Sequence, residues 1–126
     1  MSELYPFLAV RDVPAAIDFY AAAFGAVESY ERLVAPDGSV VAEIEIDGNR
    51  VGLATERPDL GTPSPESAGA TTVRLSLVVD DPDDVAARAV DAGARLIFPV
   101  EDQPYGWRQG RVVDPFGHHW LVGRPL

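Results

Sequence analysis

Apolar and polar residues alternate with a period of two along much of this chain, and twice the period lengthens to that of a helix. In "TTVRLSLVV" the residues Val73, Leu75, Leu77 and Val79 are apolar while Thr72, Arg74 and Ser76 lie between them. Alternation of this kind makes a strand with one buried face. The runs "VVAEIEI" and "RVGLATE" behave alike: Ile44, Ile46, Val51 and Leu53 fall on one face, and Glu43, Glu45, Gly52 and Ala54 on the other. Between the strands, Ile17, Tyr20, Ala21 and Phe24 recur at i, i+3, i+4 and i+7, which predicts a helix over 14–24 with one apolar stripe. Val85, Ala89 and Ala92 predict a second helix over 82–92.

The two helical segments belong to an internal repeat. "VRDVPAAIDFYAAAFGA" from Val10 aligns without gaps on "VVDDPDDVAARAVDAGA" from Val78, a shift of 68 residues. Asp12 falls on Asp80, Pro14 on Pro82, Ile17 on Val85 and Gly25 on Gly93. Proline presets φ in a first helical turn and glycine supplies the left-handed residue after the last, so the matches mark helix starts and stops. Acidic "DDPDD" at 80–84 reads as capping and dipole complementation, since it lacks the glycine-containing spacing of a calcium loop.

Strands flank both helices. Copy one carries "LYPFLAV", "VESYERLV", "VVAEIEI" and "RVGLATE"; copy two carries "TTVRLSLVV", "ARLIFPV", "WRQGRVVD" and "HHWLVG". The fold class that follows is α+β: two tandem βαβββ modules forming a curved mixed sheet around a cleft. One domain over 1–126 divides into module one (1–56), a Pro- and Gly-rich linker (57–70) and module two (71–126). If each helix covers one face of its sheet, the bare faces are left to line the cleft.

That geometry selects the candidate site. Glu43 and Glu45 lie on the bare face of module one, and Tyr5 and Phe7 join them from the first strand. In module two, "DPFGHHWLV" makes a tight turn at 114–117 and delivers two histidines into a strand. Adjacent strand residues point to opposite faces, so His118 and His119 cannot share one metal. His118 is expected to be structural and His119 to face the cleft. Hairpin pairing is expected to set His119 and Leu121 with Val112, Gly110 and Arg108. Arg74, Arg108 and His119 then complete the ligand-binding set, with Trp107 near the rim, where it could stack on a flat ligand.

Composition narrows the partners. The net charge is −10, all ten basic residues are Arg, and 47% of residues are hydrophobic. An acidic surface of this kind argues against nucleic acid and anionic membranes as partners. It would attract a cationic small molecule, although the local arginines offset the glutamates. No Cys is present, which excludes disulfides and thiolate sites, and no apolar run nears the ~20 residues of a membrane helix. With no basic leader in "MSELYPFLAV", a cytoplasmic location is expected.

The doubled βαβββ pattern, "FYAAAFGA" and "YGWRQGRVVDPFGHHWLV" together resemble the vicinal oxygen chelate superfamily, also called the glyoxalase/bleomycin resistance protein/dioxygenase family, over essentially the whole chain. Within it, "DVPAAIDFYAAAFGA", "PDG" and "DPFGHHW" look most like the PhnB-like branch. The resemblance implies a homodimer, with clefts built either within a chain or between chains. It also implies four metal-ligand positions, which fall here on Tyr5, Gly52, Arg74 and Leu121. None is a nitrogen or oxygen donor of the kind the family uses, and an arginine repels a cation, so no metal and no other cofactor is expected. Relatives also carry a third-strand His where this chain has Val41. The reading that follows is a metal-free small-molecule-binding protein of the bleomycin resistance type, with antibiotic sequestration as one form. The alternative is a lyase, isomerase or oxygenase with a relocated metal site, or with His119 acting with Glu43 or Glu45 in acid–base catalysis. A pure interaction module would have no ligand-sized pocket.

Overall fold

The computed structural model describes all of residues 1–126. Nine strands and two principal helices follow one another as the repeat predicts: β1 (Phe7–Val10), α1 (Val13–Phe24), β2 (Val27–Glu28), β3 (Leu33–Val34), β4 (Val40–Ile46), β5 (Asn49–Thr55), a 3-10 turn (Pro58–Leu60), α2 (Pro65–Ala68), β6 (Arg74–Val78), α3 (Pro82–Ala92), β7 (Arg95–Asp102), β8 (Trp107–Val113) and β9 (His119–Pro125). Each module is a mixed sheet. Module one runs β1-β5-β4-β2, with β3 also paired to β4, and module two runs β6-β9-β8-β7. β1 is parallel to β5 and β6 to β9, while the remaining neighbours are antiparallel. The fold is α+β with two tandem βαβββ modules.

Both helices start and stop for the reasons their sequence suggests, with one displacement. Asp12 caps α1 by accepting from the Ala15 amide, and Gly25 ends it at φ 69°. In the repeat, Asp80 aligns with Asp12, but the cap of α3 is Asp81, which accepts from the Asp84 amide. Pro82 directly follows its cap, whereas Pro14 sits one residue deeper in α1. The offset between the modules is therefore 69 residues at the helix caps, while the glycines that end the helices, Gly25 and Gly93, keep the 68 of the sequence repeat.

One strand is broken where the sequence suggests a continuous one. "VESYERLV" breaks into the two-residue pieces β2 and β3, because its middle, Ser29–Arg32, has no apolar alternation to bury and instead ties Arg32 back to Glu28. The segment 57–70 contains two short helical pieces, and Pro65 of α2 packs close to Gly117. β7 is an edge strand that tolerates Pro99 through register shifts on either side of Phe98.

The packing of the modules decides where the site can be. Leu8, Val10, Ala42, Ile44 and Leu53 from the helix side of sheet one share one core with Val112, Trp120 and Val122 from the helix side of sheet two. Ile17 and Tyr20 of α1 and Ala89 of α3 fill the space between, and the two helices touch along their length. The main polar feature of the joint is Asp114, beside the His118 contact to the Ala9 carbonyl. Asp114 accepts from Tyr20 Oη across the modules, from Trp120 Nε1 (2.9 Å), and from the amides of Phe116 and His118 (both 2.9 Å). Burial and this carboxylate push the Tyr20 phenol well above its usual pKa, so it stays a donor. Since the helix sides meet in the middle, the bare faces of the two sheets point away from each other.

Candidate ligand-binding faces

On the bare face of module one, strand register brings Phe7, Gly52 and Glu43 into one row across β1, β5 and β4. Arg50, Glu45 and Val27 form the next. The Phe7 ring lies flat on Gly52: a Cβ there would come within 2.4 Å of it. Phe7 is 55% exposed, whereas Glu43 in the same row is only 9% exposed. Arg50 ties this face together, with its guanidinium 3.3 Å from Glu43, 3.2 Å from Glu3 and 5.0 Å from the centre of the Tyr5 ring. Tyr5, Phe7, Glu43 and Glu45 thus gather as expected, around an arginine the alternation did not single out.

The bare face of module two is built differently. One row across β6, β9, β8 and β7 reads Arg74, His119, Val113, Arg95, and the next reads Ser76, Leu121, Arg111, Phe98. Arg111 Nε donates to His119 Nδ1 at 3.0 Å. Desolvation, followed by the charges of Arg111 and Arg95, holds the His119 pKa below its ordinary 6.5. His119 is therefore a neutral imidazole near pH 7. With Nδ1 accepting from Arg111, its proton resides on Nε2.

The hairpin register corrects the sequence expectation. His119 pairs with Val113 and Leu121 with Arg111, so Arg111 and not Arg108 shares the His119 face. The reason is local. Gly117 N donates to Asp114 O, the type I turn expected, but Gly117 then adopts φ 90° and Asp114 N bonds His118 O. That extra left-handed residue is a bulge that advances the pairing by one. Arg108 lies on the helix side, where Asp83 (2.8 Å) and Asp102 (3.0 Å) fix it and raise its pKa. Trp107 sits in register with the bare face at its far end, paired with Pro125 and half-buried. His118 is buried and its Nε2 lies 2.9 Å from the Ala9 carbonyl, the scaffold role anticipated for it.

Of the four positions where the family resemblance places metal ligands, Gly52 lies beneath the Phe7 ring and Arg74 brings a positive charge. Within the chain no three His, Asp or Glu side chains converge in a way that could hold an ion. These residues do not fit a divalent metal. Ligand-sized cavities do exist. One of about 550 Å³ opens between β1 and the 61–73 segment, with Phe7, Val73, Leu75 and His118 among its walls. It holds only Phe7 of the eight residues singled out above; another cavity, of about 460 Å³, reaches Arg50 of the first bare face and Ser76 and Val78 of the second but holds none of the eight.

The chain belongs to the Glyoxalase/Bleomycin resistance protein/Dioxygenase superfamily, whose model matches residues 4–122. It is 43% identical to the uncharacterized protein Mb0911c of Mycobacterium bovis over 98% of this chain and 83% of that protein. The crystal structure of TioX from Micromonospora sp. ML1 is similar at TM-score 0.71 and 28% identity, covering 99% of this chain and 97% of that one. FosX from Listeria monocytogenes, a fosfomycin resistance protein crystallised with Mn(II) and sulfate, has the same fold at TM-score 0.74 and 17% identity, covering 100% and 94%. No helix is long and apolar enough to cross a membrane.

Proposed function

We propose that this protein binds a small molecule in a cleft assembled between two copies of the chain, without the metal that the superfamily resemblance implies. The observation that carries the reading is the character of the bare faces. They point away from each other within one chain, yet they are complementary: Glu3, Glu43 and Glu45 outweigh Arg50 on the first, and Arg74, Arg95 and Arg111 dominate the second. Phe7, Val27, Leu33, Val73 and Val78 leave large apolar side chains exposed on or beside these faces. A homodimer that set face one of each chain on face two of the other would cover these residues twice over by symmetry. Tyr5, Phe7, Glu43, Glu45, Arg74, Trp107 and His119 would then line two equivalent clefts, as the sequence motifs suggest. Antibiotic sequestration in the cytoplasm is one form of this role, and the "DPFGHHW" motif supports a PhnB-like assignment within the superfamily.

A second reading is enzymatic, and the superfamily's description supports it at least as well, since it covers enzymes beside a resistance protein. The specific observation in its favour is His119, a neutral imidazole on a bare face with its proton directed by Arg111. Because Nδ1 is engaged, the role open to it is general acid or donor through Nε2. Glu43, the other acid–base candidate, lies on the opposite face and would meet His119 only across a two-chain cleft.

Elemental analysis of protein purified without chelator, together with its molar mass in solution, tests the proposal. A metal-free dimer is the expected result. A stoichiometric transition metal would overturn the metal-free reading, and a monomer would overturn the two-chain cleft.

A further inference from the structure

Five of the ten arginines have a carboxylate partner: Arg11, Arg32, Arg50, Arg57 and Arg108. In a chain with 20 acidic residues such pairing is easy to achieve. Of the five others, three are gathered on one sheet face. Arg74 and Arg95 stand at the two ends of a single row with His119 between them, and Arg111 stands in the next row. The one carboxylate in register with this face is Glu101, opposite Gln109, a further row away. Like charges bunched without a counter-charge repel one another, and in a protein of net charge −10 nothing in the composition forces the arrangement.

The geometry points to an oxyanion site: the bare face of module two receives a carboxylate, phosphate or phosphonate group of the ligand, held by Arg74, Arg95 and Arg111 and by the Nε2–H of His119. This rests on the small-molecule reading above and names the charge of what is bound. Arg111 spends its Nε on His119 Nδ1, which leaves both terminal nitrogens free to donate in the paired manner that suits a planar or tetrahedral oxyanion. The same bond fixes the imidazole so that it presents a hydrogen and not a lone pair. All four groups are thus donors, and none requires a metal. The overall acidity of the chain suggests a cationic ligand, but charge on the surface at large is solvated and screened within roughly 8–10 Å, so the local face decides the sign.

The test uses the full chain at pH 8 and constant ionic strength, with benzoate and phenylphosphonate as anionic probes, benzylamine as the cationic probe, benzyl alcohol as the neutral one and chloride as the control. The readouts are the His119 imidazole NMR signals and the melting temperature. The anions are expected to shift the His119 signals saturably and raise the melting temperature. Arg95→Gln with Arg74→Gln is expected to weaken them by about tenfold or more, the worth of one lost charge-assisted hydrogen bond. Both arginines are exposed, so the double variant should fold. The inference is overturned if the anions act no more strongly than chloride, or if the double variant binds them equally well. It is also overturned if Glu45→Gln and the arginine changes loosen the same dimer with no effect on anions, because the arginines then serve the interface. Binding of benzylamine or benzyl alcohol alone would refute the oxyanion site while leaving the small-molecule reading intact, and binding of no probe by a monomeric protein would sink both.

Discussion

The face each sheet turns toward its helix and the face it leaves bare follow opposite rules. On the helix side, residues from both modules interdigitate into one core, and the single buried carboxylate, Asp114, has four donors. On the bare side, module one neutralises Glu43 with Arg50 and lays Phe7 over Gly52, while module two keeps three arginines without carboxylate partners. The helix side is satisfied within one chain, and the bare side is not. Stability should therefore reside in the first and function in the second.

The sharpest way to break that division is at Asp114. Asp114→Ala strands the Tyr20 hydroxyl and the Trp120 ring N–H inside the joint and removes the acceptor that shapes the turn. It should cost on the order of 3–5 kcal/mol in denaturant unfolding, while Tyr20→Phe, which removes one donor of four, should cost about 1.5–3 kcal/mol. If Asp114→Ala unfolded no more easily than the parent, the joint would not be the stability centre. Next in size is Gly117→Ala. At φ 90° a side chain is strained, and its Cβ would meet Pro65 at 2.7 Å, so a loss of about 1–3 kcal/mol is expected. Because this turn also sets the register of β9, chemical-shift changes should reach His119.

The bare faces should respond more weakly. Arg50→Gln takes the charged partner from Glu3, which is exposed, and from Glu43, which is largely buried, and should cost about 1–2 kcal/mol. A larger loss would mean that face one belongs to the fold's core economy rather than to a ligand. The smallest effect is a pH dependence at His119. Its folded pKa lies below 6.5, so the unfolded chain takes up the proton first as pH falls. The stabilising contribution is complete above about pH 6.5 and is lost as pH drops through the lower, folded value. His119→Gln should flatten the pH profile of the melting temperature in that window, and an unchanged profile would contradict the shift.

Much of this was legible in the chain itself. Period-two and period-3.6 patterns are local, and they located both helices and most strands, because alternation and stripe are imposed by backbone geometry on any segment with one buried face. The separation of His118 from His119 follows from the same alternation, and the misfit of Tyr5, Gly52, Arg74 and Leu121 to a metal needs only residue chemistry. Arg111 and Arg95 were not legible. A one-residue bulge at Gly117 moved the hairpin register, and strand neighbours depend on a bond pattern that spacing does not encode.

The sequence by itself determined the modules, their order and, in β1, β4, β5, β6 and β9, which residues the sheet leaves bare. Only the tertiary structure decided that the helix sides of the two sheets merge, turning the bare faces apart. That choice depends on how Tyr20, Phe116, Trp120 and Asp114 fit together across 94 residues of chain, and non-local packing of this kind leaves no periodicity to read.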